Sequence, residues 1–245
     1  MRIHNNPVIL FLSFAVFLAA ACQKTPSIRD VIALRATSSQ VLADGSRLDT
    51  FYADLPINSV AANRAVTFQV SSGLFSNGFD TITVWANRTD IDPNKITAIA
   101  IFQTSTRPGP DTVNAATNTT PQVVNQMIID LSPSLVDSIL LTPSAYSVPD
   151  SFGISVNITA LLFDSTLGRV SQGATISFSD YSGSQPGGGT FLPQSLLISD
   201  TSQVIVSYTP SQTDTAGQLI TIVATVPNAV GGTMATGKVV ISIIK

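Results

Sequence analysis

The chain has 245 residues, a formal charge of −3 and a single cysteine. Its 12 basic residues are outnumbered by 15 acids, so there is no basic patch to neutralise phosphates, and nucleic acid is excluded as a partner class. All the acids are aspartate, which removes glutamate as a helix former and leaves a chain rich in Ser, Thr, Val and Ile, suited to strands and turns.

The first element is a leader. Arg2 and His4 precede an apolar run over 8–21 that is broken only by Ser13. A basic start, an apolar middle and a small-residue end make a secretory signal peptide over 1–21, and the run is shorter than the roughly 20 apolar residues of a membrane span. The stretch "LAAAC" ending at Cys22 resembles the bacterial lipobox, with Ala19 standing where leucine is usual. That resemblance implies a diacylglycerol on the Cys22 thiol, cleavage just before it, and a membrane partner held through the lipid, with 22–27 as the tether. Two or three acyl chains hold a protein firmly where one holds it loosely. An ordinary signal peptide with a chance cysteine is the competing reading. Gln23, where aspartate would favour retention at the inner membrane, implies the outer membrane, on its periplasmic or extracellular face.

After the leader, short alternating runs recur with turn signals every eight to twelve residues, the sign of all-β sandwiches. Strands are predicted over 31–40, 46–55, 64–71, 80–87, 95–104, 111–118 and 123–131, and again over 137–148, 153–163, 174–181, 189–198, 202–209, 218–226 and 238–244. In the second half Ile154, Val156, Ile158 and Ala160 share a face opposite Ser155, Asn157 and Thr159, so one face of that sheet is buried. "ITAIAIF" from Ile96 and "LITIVATV" from Leu219 are apolar on both sides and read as central strands.

The halves repeat each other. "VLADGSRLDTFYADL" from Val41 aligns with "SVPDSFGISVNITALLFD" from Ser147, "AVTFQVSSG" with "ATISFSDYSG", and "TSTRPGPDTVNAAT" with "TPSQTDTAGQLITIVAT". A repeat this long is a duplicated domain, so two domains are expected, 28–132 and 133–245, joined at "LSPSL" by a linker that Pro133 stiffens. "LADGS", "RAVTFQVSSGLFS", "RVSQGATISF" and the glycine turns leading into "DTVNAAT" and "GQLITIVATV" look like the bacterial Ig-like domains found in tandem in invasin- and intimin-type adhesins. The resemblance implies two Ig-like β-sandwiches and a role in surface display or adhesion.

Catalysis finds little material. His4 leaves with the leader and Cys22 carries lipid, so no nucleophile-histidine pair or His-based zinc site can be assembled, and the chain reads as a non-enzyme without a cofactor. Calcium has one candidate: Asp90, Asp92 and Asn94 in "RTDIDPNK" offer oxygens at alternate positions, although Asp-Pro-Asn is also an ordinary turn. Trp85 falls on the polar side of "DTITVWAN", where an exposed indole could stack on sugar or anchor a protein; a bulge turning it inward, or packing in the domain junction, is the commoner outcome. Tyr181 is a second aromatic for such a contact. "SQPGGGTF", with no helix after it, reads as a flexible loop rather than a phosphate cradle. Two functions therefore compete: a structural or adhesive envelope lipoprotein, and an accessory lipoprotein that binds glycan or docks on a membrane complex.

Overall fold

The computed structural model describes residues 27–87, 92–151, 153–227 and 233–245; Cys22 and Asp90 lie outside them. The first half holds a helical turn, α1 (Ile28–Val31), and nine strands. These are β1 (Ala33–Ala36), β2 (Gln40–Ala43), β3 (Leu48–Pro56), β4 (Ala65–Val70), β5 (Leu74–Phe75), β6 (Thr81–Trp85), β7 (Lys95–Gln103), β8 (Gly109–Thr117) and β9 (Val124–Pro133). They form two facing sheets, β1-β3-β7-β5 and β2-β9-β8-β4-β6. The second half holds β10 (Ser138–Pro143), β11 (Ser147–Pro149), β12 (Val156–Phe163), β13 (Thr175–Ser182), β14 (Gln185–Pro186), β15 (Thr190–Leu192), β16 (Ser195–Leu197), β17 (Gln203–Thr209), β18 (Leu219–Pro227) and β19 (Met234–Ile244). Its sheets are β10-β12-β17-β15 and β11-β19-β18-β13-β14, with β16 also on β13.

Each sandwich closes on its own core, one among residues from Ile32 to Leu131 and one among residues from Val136 to Ile243. The first is centred on Phe51, Phe68, Phe75 and Phe102, the second on Phe178, Phe191 and Tyr208. The two runs apolar on both sides are inner strands, β7 and β18. Ile96, Ala98, Ala100 and Phe102 point inward from β7, and Ile101 faces solvent.

Three predicted strands are each two. The run 31–40 begins in α1, continues as β1 antiparallel to β3, then crosses to the other sheet, where β2 runs parallel to β9. At the crossing Ser38 Oγ donates to Gln40 O and accepts from Gln40 N, and Ser39 O accepts from Asp130 N. A serine turn of this kind gives the backbone local partners while it leaves a ladder. The run 137–148 divides in the same way into β10 on β12 and β11 parallel to β19. The run 189–198 divides at Pro193, which lacks the N–H a continuous ladder needs, into β15 on β17 and β16 on β13. Ile154, expected on the buried face, lies outside β12 and is exposed.

The sandwiches meet through backbone and hydroxyl groups rather than a loose linker. Ser171 Oγ donates to Ala43 O at 2.7 Å and accepts from Ser134 N at 2.8 Å, while Gln172 N donates to Thr106 O at 2.9 Å. Removing the Ser171 hydroxyl strands a buried carbonyl and a buried N–H, at a cost of about 1–3 kcal/mol. Ser171→Ala should therefore loosen the joint: small-angle scattering is expected to show a broader distribution of interdomain distances, with each sandwich still folded by circular dichroism.

Asp164 braces the same joint. Its Oδ1 accepts from Thr166 N, Thr166 Oγ1 and Gly168 N, and its Oδ2 from Ser134 Oγ. Burial opposes its ionisation, but these hydrogen bonds outweigh burial and hold the carboxyl below the ordinary aspartate range. A carboxyl depressed in the folded state stabilises it above the unfolded pKa, about 3.9, and that contribution is lost as pH falls through the folded value. The melting temperature of the second sandwich should thus drop as pH is lowered below about 4, and Asp164→Asn should lack that component of the drop.

Candidate functional site

The sheet β2-β9-β8-β4-β6 turns one face to solvent, and register decides which residues share it. Trp85 stands opposite Ala65, Thr83 opposite Thr67 and Gln69 opposite Asn114, which in turn faces Gln126. Thr67 and Thr83 hydrogen-bond across the strands at 2.9 Å. Trp85 is 55% exposed on edge strand β6. The expected inward bulge does not occur, because β6 keeps an unbroken register with β4 from Thr81 to Trp85. The amides Gln69, Asn114 and Gln126, which share this face level with Thr81, four positions along β6 from Trp85, were not singled out from the sequence. Their alternation showed an outward face but not which strands lie side by side.

β6 ends at the edge of the sandwich remote from the joint. β3 also ends there, β4, β7 and β9 start there, and the intervening loops are tied together. Ile57 N donates to Asn94 O, Ala86 N to Arg64 O and Asn118 N to Ala65 O. The loops 57–63 and 118–124 contain no charged residue. Ile57, Val60 and Val124 are exposed on them, and Ile28 of α1 is exposed where the chain enters this end. Asn125 Nδ2 fixes that entry by donating to Ile32 O at 2.9 Å.

Asp92 and Asn94, the calcium candidates among the described residues, lie at this end too. Asp92 Oδ1 accepts from Asn94 N at 2.9 Å, Asp92 O from Lys95 N at 3.0 Å, and Asp92 Oδ2 is 3.9 Å from Lys95 Nζ. This carboxylate organises a turn and shares its charge with a lysine. Among the described residues no three His, Cys, Asp or Glu side chains converge as metal ligands. Two buried carboxylate oxygens, Asp49 Oδ2 and Asp111 Oδ2, have no protein partner.

In the second sandwich Tyr181 is half-buried on β13, paired with Thr221 and Pro186, so the structure keeps it far along the chain from Trp85, on a separate sheet. The buried pair beside it was missed by sequence reading. Tyr208 Oη donates to Asp180 Oδ2 at 2.8 Å, and Gly189 N donates to the same oxygen at 3.0 Å. Burial first, then the hydrogen bond to Asp180 and the charges of Asp180 and Asp214, push the Tyr208 hydroxyl far above its ordinary range, so it stays a donor. The triple glycine is therefore a packed strap and not the free loop expected. A Cβ on Gly189 would stand 2.5 Å from Tyr208, and one on Gly187 would collide with the Asp180 carboxylate. Beyond it, a cavity of about 610 Å³ opens at the far end of the molecule, lined by Asp150, Ser211 and Asp214 among others.

A first strand split between two sheets, its second part parallel to the last strand, with the remaining strands in antiparallel sandwich order, defines the Ig-like fold, here twice over. No family model matches the chain and no curated protein matches it. Solved structures do. The chain is similar to the Yersinia pseudotuberculosis adhesin InvE, at 16% identity over 88% of this chain and 59% of that one, with a TM-score of 0.51. It is also similar to invasin, a bacterial integrin-binding protein, at 16% identity over 87% of this chain and 39% of that one, with a TM-score of 0.59. The chain thus spans about three fifths of the one and two fifths of the other. The likeness is one of fold, and it is the invasin-type bacterial Ig fold that the sequence resemblance implied.

Proposed function

We propose that this chain is a non-enzymatic bacterial envelope lipoprotein, held to the outer membrane through lipid on Cys22, that presents two Ig-like sandwiches as a structural or adhesive module. The observation that carries this reading is the tandem Ig-like fold shared with the adhesins InvE and invasin. The lipobox-like "LAAAC" and the hydrogen-bonded joint support it: a tethered protein that offers a surface at a distance gains from a stiff connection between its domains. Expressed in a Gram-negative host, the protein should fractionate with outer membranes and incorporate labelled fatty acid, while Cys22→Ser should be unlabelled and lost from the membrane fraction. A wild-type chain recovered unlabelled in the medium would defeat the anchor. Beads coated with the full chain should adhere to cell surfaces, and beads that bind no better than uncoated ones would leave only the structural role.

A further inference from the structure

We infer that the free end of the first sandwich is a membrane seat: Ile57, Val60 and Trp85 rest at the headgroup boundary of the bilayer that holds the lipid anchor. The inference rests on the proposed acylation of Cys22. Five residues separate Cys22 from Ile28, so the lipid-bearing residue lies within about 21 Å of α1 even when the tether is fully extended. The chain enters the fold at the end opposite the joint, where β1 begins and β9 starts, and the second sandwich occupies the other end. A lipid surface is thus the nearest neighbour of the loops 57–63 and 118–124.

The chemistry of that end suits a lipid surface. Both loops lack charge, and their apolar side chains point out, with Val60 62% exposed and Ile57 42% exposed. Arg64, just after the first loop, donates its Nε to Ser59 O, so its head is held along the loop. Trp85, at the end of β6 beside these loops, supplies the amphipathic ring that favours the headgroup level. Asp92 at this end stands 3.9 Å from Lys95, which offsets its charge, whereas the cavity at the molecule's other free end is walled by Asp150 and Asp214, which anionic headgroups would repel. An amphipathic surface this small binds weakly by itself, but a lipid tether raises its effective concentration at the bilayer.

Trp85 is the only tryptophan, so its fluorescence reports the seat without labelling. The full acylated chain would be reconstituted into phosphatidylcholine–phosphatidylglycerol vesicles with and without brominated acyl chains. Bromolipid is expected to quench Trp85 emission by about half, and access of acrylamide should fall about threefold relative to the Cys22→Ser chain in solution, as for a ring at headgroup depth. The Ile57→Asp, Val60→Asp double variant, altered only at exposed positions, should stay tethered yet regain acrylamide access. An acylated, vesicle-bound chain whose Trp85 ignores bromolipid would overturn the seat and leave the anchor standing. An amino-terminal peptide without acyl mass would overturn both. Shielding of Trp85 by added oligosaccharides, with no bromolipid quenching, would overturn the seat in favour of a glycan platform.

Discussion

Phe102→Ala is expected to destabilise the first sandwich by about 3–5 kcal/mol, enough to leave it largely unfolded at moderate urea. Phe102 is fully buried, and its ring lies 5.2 Å from Phe51 and 6.2 Å from Phe75 between centroids. The surroundings cannot collapse into the space left behind. One wall is Gly73, at φ +79, whose missing Cβ would stand 2.5 Å from both the ring and Gln103 O, so the backbone already approaches as closely as it can. The truncation therefore leaves a cavity rather than a repacked core. Trp85 fluorescence follows the first sandwich alone and should show an early urea transition, while the tyrosine signal of the second keeps its midpoint. Coincident transitions at the wild-type midpoint would mean that the four-phenylalanine cluster is not what holds this half.

The second large effect is expected at Asp180. Asp180→Ala deprives the Tyr208 hydroxyl and the Gly189 N–H of their shared acceptor inside a dry core, and each stranded donor costs about 1–3 kcal/mol. The strap of glycines loses its attachment with it, so the second sandwich should unfold at much lower urea and the segment around Gly187–Gly189 should become a protease site. Tyr208→Phe removes one donor and leaves Asp180 its bond to Gly189, so it should cost clearly less, about 1–2 kcal/mol. If the two variants were equally damaging, the hydroxyl rather than the carboxylate would be the centre of the arrangement.

The fold was readable because a sandwich buries one face per strand, and period-two alternation in runs such as Ile176, Phe178 against Ser177, Ser179 survives in the sequence. The internal repeat was readable for the same reason: Val41 lies in β2 and Ser147 opens β11, both strands parallel to the last strand of their sandwich. Sheet switching was not readable. The residues of β1 and β2 alternate alike, and only the partner strand, which is distant in sequence, tells them apart. Trp85 was placed on the correct face by alternation and misjudged only in the weight given to a bulge. The Asp180–Tyr208 pair left no local mark, since its members lie 28 positions apart and each looks like an ordinary polar member of a strand. The glycines of "SQPGGGTF" were visible, but their purpose lay in that hidden pair. At Asp92 and Asn94 the local pattern suited both a turn and a ligand set, and the described geometry is that of a turn.

The parallel pairing of β2 with β9 and of β11 with β19 bears on how the protein answers tension between its two ends. Tension between the amino-terminal side and the carboxy-terminal side of either sandwich slides these paired strands past one another, so the bridging bonds share the load at once instead of parting in sequence. The first sandwich has four such pairings, Gln40↔Asp130 to Ala43↔Pro133, and the second has three, Ser147↔Ser242 to Pro149↔Ile244. Under a rising pull the second sandwich is expected to give way before the first, lengthening the molecule while its amino-terminal half holds.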